Sequence, residues 1–443
     1  MKKRIIPAVL MSLSIVAAAC SDDETTSDTT TAPVETSADT TAPPETTPGE
    51  TMPIDNTVPS ADCALDAPLK IGFAADLGEL GAFSDQPGSE AAQVMVDMIN
   101  DAGGVGGLPV EYVVKDIQGD PAATQRAAQE LLDEGVNAII GPPFASTGAP
   151  LLDAVDGAAP IVFMASTDPA LADPSRGAFL ASFSDQVQAA AMAEFAIAEG
   201  NTTAITFSST DDVYFSGNPE YFTEVFEAAG GSVLNDYAYS LADSDFSTQV
   251  NDIANLSEQP AVLFTAMVMP QTQTLLEQLD AAGLGDIVVL GVDGFDATVV
   301  WSAGDVADGV FFAAHTFPQD DNGVQQFLDD AAAAGANIET ISFGALAADA
   351  VQILAAAATQ ACSVDGATLI STIDALVNVP VTTGTVSYAG TGGVPEKDVV
   401  ILGVEGGEPV FVEALRPENI PRCPVGSEPC SRSTRSRRAT ARS

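Results

Sequence analysis

The sequence predicts an α/β protein with two parallel sheets, each wound by helices. Three observations predict it. Short apolar runs alternate with longer stretches of helical period from Leu69 onward, the pattern of a parallel sheet in which each crossover needs a helix. The alternation resumes after Phe183, which marks a second block of the same kind. With 46% hydrophobic residues, 17% charged and 37 Gly, the composition is that of a folded, loop-rich chain. About 350 residues remain once two low-complexity ends are set aside, enough for two domains of roughly 100–200 residues.

In chain order, LKIGFAADL is the first strand, and Ser89 to Ala102 places Ala92, Val96 and Ile99 on one helical face. Gly103 and Gly104 stop that helix. VEYVVKD is a strand, DPAATQRAAQELLDEG a helix, NAIIGP a strand, TGAPLLDAVDGA a helix and PIVFMAS a strand. In the second block Gln186 to Glu199 is helical, AITFSS a strand, Pro219 to Ala229 helical, SVLNDYAYS extended and Phe246 to Leu256 helical. AVLFTAM is a strand, Pro270 to Ala282 a helix and DIVVLG a strand. Phe311 to Phe317 returns extended, Ser342 to Gln360 and Ala367 to Val377 are helices, and GTVSYAG with DVVILGVEGGEPVFVEAL is β-rich. The last block has no helix of its own, so it completes a sheet already begun, and the chain crosses between sheets more than once. Met95, Met98, Phe195 and Phe222 fall at helical spacing and read as core.

Charge excludes one large class. Lys+Arg number 15 against 62 Asp+Glu, a net charge of −47, whereas binding of DNA or RNA needs clustered bases to displace counterions. No nucleic-acid partner is expected. Lys2, Lys3 and Arg4 precede an apolar stretch from Ile5 to Ala19, the pattern of a secretory signal peptide over residues 1–19. Ala17-Ala18-Ala19 leads into Cys20 and resembles a bacterial lipoprotein cleavage box, with Ala17 where Leu is commoner. Cys20 then becomes the lipidated first residue of the mature chain. From there to residue 65 runs a Thr-, Pro- and acid-rich linker with too little apolar surface to fold.

Four other cysteines remain, Cys63, Cys362, Cys423 and Cys430. In an exported chain they invite disulfides, and four allow three pairings. Residues 417–443 form a Cys-containing tail with Arg432, Arg435, Arg437, Arg438 and Arg442. No close Cys/His spacing supports a metal site, and no cofactor is expected.

Ligands of parallel sheets bind at the carboxyl ends of strands, where loops and helix N-termini present N–H groups. Three strand ends carry suitable chemistry. NAIIG runs into PPFASTG, placing Ala145, Ser146 and Thr147 at a helix start. IVFM runs into ASTDP, placing Ala165, Ser166 and Thr167 at the next one. Ser and Thr there also serve as plain N-caps; two such ends on adjacent strands make a donor-rich pocket that suits a carboxylate. VVLGVDGFD puts Asp293 and Asp296 on a Gly-flanked loop, a solvated turn or, beneath a closed cleft, a counter-charge for an ammonium group.

Residues Leu69 to about Leu415 resemble the periplasmic-type I solute-binding proteins of ABC transporters, in their branched-chain amino-acid (Leu/Ile/Val-type) branch. The most specific stretch is IGFAADL with GAFSDQPGSEAAQVMVDMINDAGGVGGLPVEYVVKDIQGDPAATQRAAQELLDEGVNAIIGP, where INDAGGVGG precedes a strand ending at Asp116 and then DPAAT. The resemblance implies two Rossmann-like lobes joined by three hinge crossings, near Ser182 to Asp185, His315 to Pro318 and Val379 to Gly384, closing over a ligand. Lobe 1 is then 66–183 plus 317–381, and lobe 2 is 184–316 plus 382–416.

Carried over by position, the carboxylate loop falls on PPFASTG, its usual serine on Ala145 with Ser146 beside it. The carbonyl and threonine that hold the head group fall on Ala165 and Thr167. The acid facing the ammonium, usually Glu, falls on Asp293. Aromatic walls fall on Phe83 and Tyr214, with Phe215 in place of a common Gly and Val268 at a further aromatic position. The implied ligand is an amino acid or a related small carboxylate or amide. The implied partners are ABC permease subunits and a membrane reached through the Cys20 lipid, with the protein extracytoplasmic and monomeric. A ligand-sensing receptor of the same fold, coupled to signalling instead of transport, is the alternative.

An enzyme is not expected. His315 is the only histidine and lies where a hinge crossing is implied, and there is no G-x-S-x-G elbow. GGVGG follows a helix and reads as a turn, and DDNG at Asp320 to Gly323 lacks the other acids of a calcium loop. Trp301, the single tryptophan, reads as a packing residue beside the Asp293 loop.

Overall fold

A computed structural model describes residues 63–297, 303–320, 322–336, 338 and 340–421. The signal peptide, Cys20 and most of its linker, Trp301, Cys423, Cys430 and the Arg-rich tail lie outside the described residues.

The first sheet is parallel throughout. It comprises β1 (Lys70–Ala75), β2 (Glu111–Asp116), β3 (Ala138–Gly141), β4 (Ile161–Phe163) and β5 (Ala178–Leu180), in the order β2-β1-β3-β4-β5. Helices α1 (Ala82–Asp101), α2 (Pro121–Asp133) and α3 (Ala145–Val155) make the crossovers. Start signals act as elementary chemistry requires at α2: the Asp120 carboxylate accepts from Ala123 N and Pro121 fills the position whose N–H has no partner.

The second sheet takes up the chain after α4 (Asp185–Ala198). Strands β6 (Thr203–Ser208), β7 (Ser232–Ala238), β8 (Val262–Thr265), β9 (Val288–Gly291) and β10 (Phe311–Ala314) alternate with α5 (Val213–Ala228), α6 (Ser247–Ala254) and α7 (Gln271–Ala281). The chain then adds α8 (Val324–Ala333), α9 (Ile341–Ala361), α10 (Gly366–Asp374) and a small hairpin, β11 (Val379–Val381) with β12 (Gly384–Val386). It ends in β13 (Val399–Glu405) and β14 (Glu408–Leu415), which join the second sheet antiparallel in the order β14-β13-β10-β9-β8-β6-β7. The helix-free C-terminal block thus completes a sheet begun earlier.

Three local expectations are corrected. Helix α1 begins at Ala82 rather than Ser89 and contains Pro87, and α5 begins at Val213 rather than Pro219. In α5 the Asp212 side chain accepts from Tyr214 N, a cap that sets the start upstream of the proline. Ala165 to Thr167 do not open an α-helix; Asp168 caps a short 3-10 turn, Pro169–Leu171.

The third passage between sheets also falls later than Val379 to Gly384. Val381, Val386 and Tyr388 are buried in the first sheet's core, and Leu180 N donates to Gly393 O, so the chain leaves for β13 only after Gly393. The cause sits inside α9. Asp349, fully buried, accepts from Thr383 N and Lys397 Nζ at 3.0 and 2.8 Å, and Gln352 accepts from Thr382 N. Helix α9 is long and apolar enough to cross a bilayer by composition, yet 89% of its most apolar window is buried in the fold, so it is a core helix. Beyond it, Cys362 and Cys63 meet in disulfide geometry with Cα atoms 5.4 Å apart.

The strand orders position the site. The order in which successive strands are added reverses between β1 and β3 in one sheet and between β6 and β8 in the other, and ligands of open α/β sheets bind outside the strand ends at such reversals.

Candidate functional site

Asp293 is the hub. It follows β9 in a 3-10 turn, Asp293–Phe295, and is only 3% exposed. Its Oδ1 accepts from the Tyr214 hydroxyl at 2.8 Å, and its Oδ2 lies 3.0 Å from His315 Nε2. Its backbone N–H donates to Gln188 Oε1 at 3.1 Å, and Gly294 N donates to the Tyr214 oxygen at 2.9 Å. Glycine is required at 294, because a Cβ there would stand 2.7 Å from that oxygen and 3.0 Å from Val268 Cγ1. Burial beside Asp293 holds the Tyr214 phenol well above its usual range, so it acts as a donor.

A second buried carboxyl, Asp185, opens α4. Its Oδ1 accepts from Thr167 Oγ1 at 2.7 Å, Asn218 Nδ2 at 2.9 Å and Gln188 Nε2 at 3.1 Å. Those bonds favour the ionised form, but burial outweighs them and, with Asp168 and Asp293 nearby, pushes the carboxyl up to about 8. Burial raises Asp296 to about 7 in the same way, partly offset by the Ser342 hydroxyl. Asn218 Nδ2 also donates to Tyr214 O at 3.0 Å, so the Asp185 and Asp293 groups form one network.

One bond ties the halves together at the rim. The Asp212 carboxylate, which caps α5 in the second sheet, accepts from Ser146 N in the first turn of α3 at 3.2 Å. Behind it, Phe144 follows β3 of the first sheet yet packs in the core of the second, with ring centroids 5.8 Å from both Tyr214 and Phe215 and 6.3 Å from Phe83. Phe343 extends the wall, 5.3 Å from Phe83 and 6.0 Å from His315, and Phe183 stacks on the imidazole at 4.2 Å.

The seven residues expected from the sequence are distributed as follows. Tyr214 and Asp293 touch; Thr167 joins them through Asp185 and Asn218; Phe83 joins through Phe144. Ser146 reaches the group through Asp212, while Ala145 is half-buried beside it and Ala165 is buried in the first core. Sequence reasoning missed Asp185, Gln188, Asn218, Phe144 and Phe343, and it gave His315 only to the hinge. A usable signal was present: DQVQ stands at the first crossing, and acid and amide side chains there have no reason to be buried unless they meet partners. A cavity of about 300 Å³ lies instead at the crossings, lined by His315, Phe317, Thr383, Lys397 and Arg416, and none of the seven residues lines it.

Two α/β halves whose strand ends converge on a buried polar cluster walled by aromatics define a two-lobed solute-binding protein. The comparisons agree. The family model "Periplasmic binding protein" matches residues 68–408, and the chain belongs to that family, in the type I fold. The Leu/Ile/Val-binding protein BraC3 of Rhizobium johnstonii is 27% identical over 354 residues, covering 78% of this chain and 94% of that one. The crystal structure of a leucine-binding protein, LivK, from Thermotoga maritima superposes with a TM-score of 0.72 at 24% identity, covering 79% and 99% of the two chains. A solute-binding protein from R. palustris in complex with benzoate gives 0.70 at 18% identity, covering 82% and 100%. Leucine and benzoate on one fold show that the fold does not choose the ligand. Membership places the chain among extracytoplasmic binders of small molecules, not among enzymes.

Proposed function

We propose that this chain is the capture component of an ABC importer, taking an amine-bearing solute of the size of an amino acid, or its carboxylate or amide relatives, between two lobes. One observation carries the reading: Asp293 is a nearly inaccessible carboxylate in a polar cluster fed from both sheets, with Tyr214 and His315 on its oxygens. A buried carboxylate so placed is the counter-charge an ammonium group needs once it leaves water. The relationship to a Leu/Ile/Val-binding protein supports an amino-acid-like ligand. In this reading Phe83 and Tyr214 wall the ligand, Ala145 and Ser146 line its far end, and Ala165 and Thr167 flank its head group.

The lobes are 66–183 plus 317–393 and 184–316 plus 394–416. Cys20 carries a lipid that holds the chain near permease subunits, Cys63 and Cys362 are oxidised as in an exported protein, and the protein works as a monomer.

The test is a thermal-shift screen of the full chain with amino acids, their deaminated acids and their amides. A ligand at 100 times its Kd adds about 2.7 kcal/mol of stability. Stabilisation by amine-bearing compounds is the expected result. Stabilisation only by compounds without an amine removes Asp293 from its role.

A further inference from the structure

Ligand charge is legible one step further, on the reading that the cleft takes an amine. Five carboxyl groups gather where the halves meet: Asp168, Asp185, Asp212, Asp293 and Asp296. They sense one another, Asp168 with Asp212 and Asp185, and Asp293 with Asp185 and Asp296. The basic group bonded to a member of this cluster is His315, whose Nε2 lies 3.0 Å from Asp293. The ion pairs of Lys70, Lys115, Arg176, Lys397 and Arg416 go to other carboxylates.

Two of the donors are already committed. At the start of α3 Asp212 holds the Ser146 N–H at 3.2 Å, and Asp185 holds the Thr167 hydroxyl at 2.7 Å. Three buried groups here are left without a partner, Ser166 Oγ, His315 Nδ1 and Asn218 Oδ1, and of these the amide oxygen can only accept. Asn218 is fully buried, its nitrogen serves Asp185 and Tyr214 O, and its Oδ1 meets no donor. A buried acceptor among carboxyls calls for a donor group, which an amine or a carboxamide supplies and a carboxylate does not. Asp185 and Asp296, pushed up to about 8 and 7 by burial, hold protons that an incoming cation displaces.

We propose that the cleft is built for a cationic solute without a free carboxylate, an amino amide or simple amine, and that Asp212 sets this preference by occupying the start of α3. An α-carboxylate meets a resident like charge there, whereas a carboxamide supplies N–H groups to Asp212 and Asn218.

The test is titration calorimetry of the full chain at about pH 6.5, where an α-amine is charged, with leucinamide, leucine, 3-methylbutylamine and 4-methylpentanoate. Leucinamide is expected to bind at least about 10-fold more tightly than leucine, and 4-methylpentanoate not to bind. Asp212→Asn and Asp212→Ser both preserve a cap for α5, and each is expected to move the leucinamide-to-leucine affinity ratio by about 10-fold toward leucine. Leucine binding as tightly as leucinamide overturns the proposal and leaves the amine reading standing. A native preference for leucinamide that neither Asp212 variant alters removes Asp212 from its part. Binding of 4-methylpentanoate alone, or silence from all four at about 10 mM, overturns the proposal and the amine reading together.

Discussion

Raising the pH from 5.5 to 6.5 is expected to destabilise the ligand-free protein, and Asp185 is one reason. Its carboxyl is 3% exposed and burial holds it at about 8, against roughly 3.9 in an unfolded chain. Between those values the folded chain keeps a proton that the unfolded chain has released. The stabilisation is therefore fully present below about pH 4 and is lost as the pH climbs through 8, with a slope near −1.4 kcal/mol per pH unit for one such group. Asp296, at about 7, adds a loss of the same sign over pH 4 to 7. Charge repulsion within the cluster couples the two, so the sum is about 1–3 kcal/mol across that single pH unit. Urea unfolding followed by far-UV circular dichroism at constant ionic strength reads it directly. Asp185→Asn keeps an oxygen for Thr167, Asn218 and Gln188 but carries no proton equilibrium, so its slope should be shallower by about 1.4 kcal/mol per pH unit. Stability that is flat from pH 5 to 7, or an Asp185→Asn slope equal to that of the native chain, refutes the reasoning.

Three further outcomes follow from the same contacts. Asp293→Asn is expected to weaken binding of an amine ligand by about 2–5 kcal/mol, as for truncation of a buried charge pair; calorimetry showing equal affinity removes Asp293 from the site. Binding of that ligand should release protons, because a cation beside Asp185 and Asp296 favours their ionised forms, and calorimetric enthalpies identical in buffers of different ionisation enthalpy contradict this. Cys63→Ser, or Cys362→Ser, opens a bridge spanning 299 residues and should cost about 2–5 kcal/mol in urea unfolding under oxidising conditions, with no change on adding reductant to the variant.

The fold was legible because its signals are local. Strands β1, β3 and β4 of the first sheet are short apolar runs, and a turn between them carries a cap that acts within three residues, Asp120 for Ala123. The two helix starts were misread for the opposite reason. Pro87 and Pro219 look like boundaries in the sequence, but both sit inside helices whose first turns are fixed upstream, α5 by the Asp212 cap. The third crossing was misplaced because its position depends on Asp349, a charged residue inside an otherwise apolar helix, meeting Lys397 across 48 residues of chain. Only the folded chain shows why an acid is tolerated there.

The site divides along the same line. Tyr214, Thr167 and Asp293 lie near strand ends, where function is expected from topology alone, and all three lie in the polar cluster. What fixes their chemistry lies far away in sequence: Gln188 reaches Asp293 across 105 residues and Asp212 reaches Ser146 across 66. These partners change the meaning of the legible residues. Thr167 looks like a free hydroxyl for a carboxylate until Asp185 is seen to accept its hydrogen bond, and the N-terminus of α3 looks like an anion site until Asp212 is seen beside it. In a chain with 62 acids and 15 bases, buried carboxyls seldom find Lys or Arg, so they gather with hydroxyls, amides and one another. Such a cluster is poorly disposed to receive another anion and well disposed to receive a cation, and the ligand preference of this cleft follows from which charges the chain had available to bury.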